Sequence, residues 1–139
     1  MQLSDLIKSM SPTLDEGTFV FATITTHATE TYRRDFLNQV AHKSEMLFRE
    51  LEGYTLILPQ ATAEELDIKW NFPCRKITLN VHSSLDAVGF LAAVTTRLAT
   101  KLNIGVNPVS GYYHDHLFVA VGKEDLVMNE LKAMAAEQG

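Results

Sequence analysis

The sequence predicts an α+β fold, because strand and helix periodicities follow each other closely in its second half. Residues 76–82 alternate apolar and polar side chains, which is the pattern of a strand with one buried face. Over residues 86–102 apolar side chains recur every three or four positions, as in an amphipathic helix. Two strands, 104–111 and 116–121, and a last helix, 123–136, are predicted to follow.

This order of strand, helix, two strands and helix is that of the ferredoxin-like βαββαβ unit without its last strand. The missing strand must come from the first half of the chain, where 18–25 and 54–58 are the candidates. Pro108 fits an outer strand, since proline is tolerated mainly at sheet edges and bulges. We therefore expect two ferredoxin-like halves, 1–70 and 71–139, that share or exchange a strand.

The first half of the chain has weaker periodicity than the second. Residues 3–10 have the spacing of a short amphipathic helix, and residues 61–66 predict a helical turn. Residues 27–43 are polar and aperiodic, which indicates an exposed connection. Residues 44–51 are predicted to form a helix that ends before Gly53.

Composition limits the classes of partner. The 139 residues have 46% hydrophobic content and a net charge of -5, which disfavours nucleic acid and anionic membranes as main partners. A single cysteine cannot form an internal disulfide, and no apolar run approaches the length of a membrane span or a signal peptide core. These features predict a soluble cytoplasmic protein.

The turn that precedes the predicted helix at residues 86–102 is the first candidate binding site. A helix N-terminus offers free backbone N–H groups to a carboxylate, and Gly89 would allow a close approach. The alternative is that Ser83 and Asp86 form a capping box, which needs no ligand.

The second candidate is the segment that joins the two late strands and has the sequence Tyr112-Tyr113-His114-Asp115-His116. In an extended conformation its two histidines would point the same way and, with His82, could hold the metal of a metal-dependent enzyme. A plain hairpin turn, a polar pocket or a dimer interface explains the same residues. We predict a pocket or interface here, with no metal and no cofactor.

Two other groups of reactive or charged residues favour structural roles. Cys74 follows a proline and enters a predicted strand, so we expect a structural rather than a nucleophilic cysteine. Arg33 and Arg34 lie in the polar connection and are expected to be solvated. No phosphate-binding, dinucleotide or serine-nucleophile motif occurs, which predicts a protein without catalytic residues.

The segment Asp86-Ala87-Val88-Gly89-Phe90-Leu91, which follows a strand and opens a helix, resembles the ACT domain. ACT domains are small-molecule-binding regulatory modules, often tuned to amino acids. Val88 stands where the family usually has proline. Residues 72–85 and 111–119 are similar to a group of small, uncharacterised bacterial proteins with two ACT-related halves in tandem.

The resemblance implies a non-catalytic regulatory or sensor module that binds an amino acid or small carboxylate and forms a homodimer or higher homo-oligomer. It places the ligand at the turn and at the start of the next strand, at Ser83, Ser84, Asp86, Val88, Gly89, Asn103, Ile104 and Gly105. The alternative is a protein interaction module without a small ligand, which would use Tyr112, Tyr113 and residues 27–43.

Overall fold

The computed structural model describes residues 2–25, 30–81 and 84–138, and only the backbone of residues 30–33. These residues form two compact units. The first unit comprises residues 17–74, and the second unit comprises residues 1–16 together with 75–139. Within the described residues the elements are, in chain order, α1 (Leu3–Lys8), β1 (Thr13–Leu14), β2 (Phe19–Thr25), α2 (Glu30–Ala41), β3 (Met46–Arg49), β4 (Gly53–Pro59), α3 (Gln60–Glu65), β5 (Trp70–Thr78), α4 (Phe90–Leu102), β6 (Asn107–Ser110), β7 (Asp115–Ala120) and α5 (Glu124–Ala136).

The first unit is a complete βαββαβ arrangement whose last strand is the beginning of β5. Its strand order is β3-β4-β2-β5, and all its strand pairs are antiparallel. Its buried core consists of Val20, Ala22, Val40, Leu56, Leu58, Ala63 and Ile68. Val20 and Ala22 on β2 and Leu56 and Leu58 on β4 are at alternate positions, so they give this unit one apolar sheet face.

The second unit has the same arrangement, but its last strand precedes the others in the chain. The end of β5 is its first strand, and the strand order is β1-β5-β7-β6. β1 pairs with β5 in antiparallel register, with Thr13 opposite Thr78 and Leu14 opposite Ile77. The prediction that 18–25 or 54–58 completes this unit is therefore wrong. A strand of two residues has no periodicity by which the sequence could reveal it.

The predicted sharing of a strand is confirmed, because β5 ends one unit and begins the other. The units differ in extent from the expected halves, 1–70 and 71–139. The first sixteen residues belong to the second unit, since α1 packs against α4 and α5. That packing places the β1 residues next to the end of β5.

The core of the second unit lies between its sheet and the helices α1, α4 and α5. Its buried residues are Leu6, Ile7, Met10, Ile77, Leu79, Val81, Phe90, Val94, Leu98, Leu117, Val119, Val127, Leu131 and Met134. The strand that was predicted over 76–82 begins earlier, at Trp70, and ends at Thr78. It ends there because Asn80 has a φ of 55° and its side chain donates to the Ser11 carbonyl oxygen at 2.8 Å.

Two predictions for the first half are wrong. Residues 27–43 are not a connection throughout, since α2 occupies Glu30–Ala41, whereas residues 26–29 lie outside the described part. Among the residues of this helix whose side chains are described, Val40 is fully buried and Phe36 and Leu37 are partly buried, so only a short apolar pattern marks the helix. Residues 44–51 form β3 rather than a helix, because Met46–Arg49 pair with β4. Phe48 on this strand is exposed, which obscures the alternation.

Candidate functional site

A cleft of about 170 Å³ in the second unit lies between the loop that precedes α4 and the β6–β7 hairpin. Its lining residues are Ser84, Leu85, Ala87, Phe90, Leu91, Ser110, Gly111, Tyr113, His114 and Asp115. The structure therefore joins the two segments that the sequence presented as separate candidates, the turn before the helix and the hairpin.

The topology explains why these segments meet. The Leu79 N–H, at the end of β5, donates to the Asp115 carbonyl oxygen at 3.0 Å, at the start of β7. The loop that leaves β5 and the hairpin that enters β7 are consequently at the same end of the sheet. The hairpin closes with the Gly111 N–H donating to the His114 carbonyl oxygen at 2.9 Å.

One wall of the cleft is the N-terminus of α4. The helix begins at Phe90 with Gly89 as its N-cap, so the predicted start at Asp86 is wrong. Asp86 and Val88 are exposed in the loop, and Ser83, the other half of the predicted capping box, lies outside the described residues. Gly89 has a φ of 96°, and an added Cβ would lie 3.5 Å from Leu3 Cδ2. Glycine is thus required by the backbone conformation rather than by lack of space.

The N-cap of α4 provides no side-chain hydrogen bond. The first N–H groups of an α-helix have no partner within the helix, and they carry the positive end of the helix dipole. Phe90 and Leu91 belong to this first turn and also line the cleft. This end of the cleft can therefore bind an anionic group through the backbone.

The opposite wall is the hairpin. The Ser110 hydroxyl donates to Asp115 Oδ1 at 2.6 Å. His114 Nδ1 is buried and has no hydrogen-bond partner among the described residues. Tyr113 also lines the cleft, and its ring packs edge to face on that of Tyr112, with 4.9 Å between the ring centroids. Tyr112 is 80% exposed and is not a lining residue.

His116 belongs to a different polar group from His114. Its Nδ1 lies 3.1 Å from Thr78 Oγ1, and the same hydroxyl donates to Asp15 Oδ2 at 2.7 Å. Since a hydroxyl has one proton, Nδ1 must be the donor in the contact with Thr78. Burial lowers the pKa of His116, and the positive charge of Lys76 lowers it further.

His82, the third ligand of the metal alternative, lies outside the described residues. Within the described residues no group of three His, Cys, Asp or Glu side chains is placed to hold a metal ion.

Asn103, Ile104 and Gly105 are not part of the cleft. They follow the C-terminus of α4, where Asn103 has a φ of 53° and its N–H donates to the Ala99 carbonyl oxygen at 3.1 Å. A helix of 13 residues is about 20 Å long. The structure therefore places these three residues at the far end of α4 from the other candidates.

Cys74 has the structural position that the sequence predicted. Its side chain is buried in β5, and its Sγ donates to the Phe19 carbonyl oxygen at 3.3 Å. Burial raises the pKa of Cys74 to about 11. Arg34 is exposed on α2, and the side chain of Arg33 lies outside the description.

Sequence reasoning did not identify Phe90, Leu91, Ser110 and Gly111 as cleft residues. Phe90 and Leu91 were interpreted only as part of the helix and of the ACT-like segment, and Ser110 and Gly111 only as part of a strand. The signal that could have found them is topological. In a ferredoxin-like unit the loop after the first strand and the hairpin after the second strand are neighbours.

No helix among the described residues has both the length and the apolar character that crossing a membrane requires. No curated protein matches this chain.

A family model described as an ACT domain matches residues 1–75. Among solved structures, a Vibrio cholerae protein of unknown function, described as a possible transport protein, is 37% identical, with 96% of this chain and 95% of that chain covered and a TM-score of 0.79. E. coli aspartokinase III in complex with aspartate and ADP is 11% identical, with 89% of this chain and 33% of that chain covered and a TM-score of 0.67.

The regulatory subunit of aspartate kinase from Thermus thermophilus is 7% identical, with 91% of this chain and 99% of that chain covered and a TM-score of 0.66. The two kinase similarities show the fold alone. The family match over residues 1–75 and the 37% identity along nearly the whole chain show that this protein belongs to the ACT domain family.

Proposed function

We propose that this protein is a non-catalytic regulatory module that binds a small amino-acid-like carboxylate in the cleft, and that it works as a homodimer in the cytoplasm. The observation that carries the proposal is the cleft itself, which the loop before α4 and the β6–β7 hairpin form together.

The size and lining of the cleft support a small ligand. Its volume of about 170 Å³ is below the roughly 300–1,000 Å³ of clefts that hold drug-sized molecules. The N-terminus of α4 provides N–H groups for a carboxylate, whereas Leu85, Phe90 and Leu91 provide apolar contacts for a side chain. This combination suits a molecule with one charged end and a short apolar group.

The solved structures support the ligand class by analogy. Aspartokinase III, a protein that contains this fold, was solved in complex with aspartate, and the Thermus thermophilus relative in fold is a regulatory subunit. The amino-acid-like ligand of the present chain is our proposal by extension from these proteins and from the cleft.

Edge strands support the proposed homodimer. Each unit ends its strand order in an edge, β3 in the first unit and β6 in the second. β3 exposes two apolar side chains, Leu47 and Phe48, and an edge strand offers unpaired backbone groups to another chain. A second copy that pairs along such an edge would bury these groups symmetrically.

Calorimetric titration with the twenty amino acids and related carboxylates tests the proposal. Ala87 is exposed and lines the cleft, so Ala87→Phe should fill the cleft without disturbing the core. Its neighbour Val88 is 90% exposed and does not line the cleft, which makes Val88→Phe the matched control. We expect binding to the wild type and to the control but not to Ala87→Phe. Binding that Ala87→Phe leaves unchanged would place the ligand elsewhere.

A protein interaction module is the second candidate. Leu85, Val88, Tyr112 and Tyr113 are all exposed around the cleft, and aromatic and apolar residues of this kind are enriched in interfaces. If this alternative is right, no amino acid or carboxylate produces heat in the titration. If an amino acid does bind, and still binds to a Tyr112→Ser variant, the result favours the cleft over this exposed surface as the functional site.

A further inference from the structure

We propose that Asp115 determines which ligands the cleft accepts, by binding a protonated amine on the ligand. The inference rests on the proposed binding of a small molecule in the cleft and specifies its chemistry. It assigns the hairpin wall to a positively charged group, whereas the α4 wall serves a carboxylate.

The first argument for this role is the charge of the residues that line the cleft. Of the ten described lining residues, Asp115 is the one with a permanent formal charge, and neither lysine nor arginine occurs among them. A ligand that carries only carboxylates would meet this negative charge without a compensating cation. A ligand that also carries an ammonium group would be attracted to it.

The second argument is the geometry of the hairpin. Both the backbone and the side chain of Asp115 are fixed by hydrogen bonds: its carbonyl oxygen accepts from the Leu79 N–H at 3.0 Å, and its Oδ1 accepts from the Ser110 hydroxyl at 2.6 Å. Its other carboxylate oxygen, Oδ2, has no hydrogen-bond partner among the described residues and remains available as an acceptor. The carboxylate is therefore oriented before a ligand arrives.

The two walls together make the cleft dipolar. The N-terminus of α4 presents the positive end of a helix dipole, and the hairpin presents the negative charge of Asp115. The inferred ligand class is a zwitterion that carries a carboxylate and a protonated amine. The matching carboxylic acid without the amine should bind less tightly, because Asp115 would then be desolvated without a partner.

Matched pairs of ligands test this assignment. L-leucine would be compared with 4-methylpentanoate, L-phenylalanine with 3-phenylpropionate and L-aspartate with succinate, by calorimetric titration of the full chain. Each pair would be measured on the wild type, on Asp115→Asn and on Asp67→Asn. Asp67 is an exposed aspartate of the first unit with a φ of 55°, a conformation that asparagine tolerates, so its variant controls for loss of one negative charge.

We expect the amine to improve wild-type affinity by about tenfold to a hundredfold, the range of one charge-assisted hydrogen bond. Asp115→Asn should abolish most of this preference, and Asp67→Asn should keep it. Ser110→Ala, which removes only the hydrogen bond that orients Asp115, should reduce the preference partly and serves if Asp115→Asn does not fold.

The outcomes separate this inference from the proposed function. Equal affinity of amino acid and amine-free partner for the wild type would overturn the role of Asp115 and leave the cleft as a carboxylate site. A preference for the amine that both Asp115→Asn and Ser110→Ala retain would also overturn it. Absence of binding by either class would refute the proposed function and this inference with it.

Discussion

The two units share one arrangement of strands and helices but differ in the tips of their hairpins. In the first unit the β3–β4 hairpin packs closely on its neighbour, because a Cβ on Gly53 would lie 2.5 Å from the Ile24 carbonyl oxygen. In the second unit the β6–β7 hairpin carries polar side chains into a cleft. The two hairpins therefore differ in chemical character, since one closes against backbone and the other presents polar side chains to an open cleft.

The first unit also has a depression, of about 530 Å³, but its composition and position differ. It is lined from β2, β4 and β5, by residues that include Phe21, Thr55 and Trp70, together with Glu50, which accepts a hydrogen bond from Thr55. No helix N-terminus contributes to it. Of these two depressions, the cleft of the second unit is the one that combines a helix N-terminus with a charged hairpin.

The largest expected effect is the loss of stability when one core leucine is truncated in either unit. Leu56 in the first unit and Leu98 in the second are fully buried. Truncation of either to alanine should lower the free energy of unfolding by about 2–5 kcal/mol, because it removes apolar contacts and leaves a cavity. Denaturant unfolding measures this loss, and Leu51→Ala, at a side chain that is 93% exposed, is the control. A loss below 1 kcal/mol in one unit would show that its core relaxes around the cavity.

The next effect tests the contrast between the hairpins. Gly53→Ala should destabilise the protein by about 1–3 kcal/mol, since the Cβ meets backbone that cannot move aside. At Gly111 the nearest atom to an added Cβ is the His114 carbonyl oxygen, at 3.2 Å, so Gly111→Ala should cost less. Thermal unfolding of the two variants measures the difference, with Gly105→Ala, where an added Cβ meets nothing within 4 Å, as the control. Equal losses at Gly53 and Gly111 would contradict the contrast.

A pH dependence distinguishes His116 from the cleft residues around it. Because the pKa of His116 is lower in the folded protein than in the unfolded chain, the unfolded chain binds a proton first as the pH falls. The free energy of unfolding should therefore be highest above about pH 6.5, the ordinary pKa of histidine, and should decrease below it.

The variant His116→Asn retains a side-chain donor for Thr78 but does not titrate. Its stability should fall less than that of the wild type between pH 7 and pH 5, in denaturant unfolding at each pH. Parallel profiles for the two proteins would show that His116 is not responsible. The charged and titratable groups around His116 are Lys76, Asp15, His114 and Asp115, which the variant leaves in place.

The smallest expected effect concerns a charged contact between the helices of the second unit. Arg97 on α4 donates to Glu130 on α5 at 2.5 Å and to Glu137 just after it at 2.6 Å and 2.9 Å. These carboxylates raise the pKa of Arg97, and the side-chain hydrogen bond with Arg97 lowers that of Glu137. Arg97→Gln should lower the midpoint of thermal unfolding slightly at low salt, and high salt should reduce the difference. Lys132→Gln, at an exposed residue of α5, is the control.

Much of the second unit could be predicted from the sequence because its apolar residues mark its elements. Ile77, Leu79 and Val81 lie on one buried face, as their alternation predicted, and Pro108 lies in an edge strand. The helices α4 and α5 were predicted within a few residues of their bounds. In these segments local periodicity and tertiary burial agree, so a local pattern is enough.

The first unit shows where local patterns are insufficient. In the part of α2 whose side chains are described, Val40 is fully buried and Phe36 and Leu37 are partly buried against the same core, and β3 exposes Phe48 at a sheet edge. These few apolar residues are too short a pattern to predict either element, and contacts with the rest of the unit decide the conformation. The same limit applies to Thr13–Leu14, whose strand pairing depends on the packing of α1 against α4 and α5.

The sequence by itself determined the α+β class, the shared strand and the two segments that hold candidate binding residues, because hydrophobic periodicity and helix and turn chemistry are local properties. The tertiary structure decided that these two segments form one cleft and that Asn103, Ile104 and Gly105 lie apart from it. The physical reason is that proximity between residues distant in the chain depends on strand order and on helix length. A local sequence pattern determines neither the strand order nor the exact length of a helix.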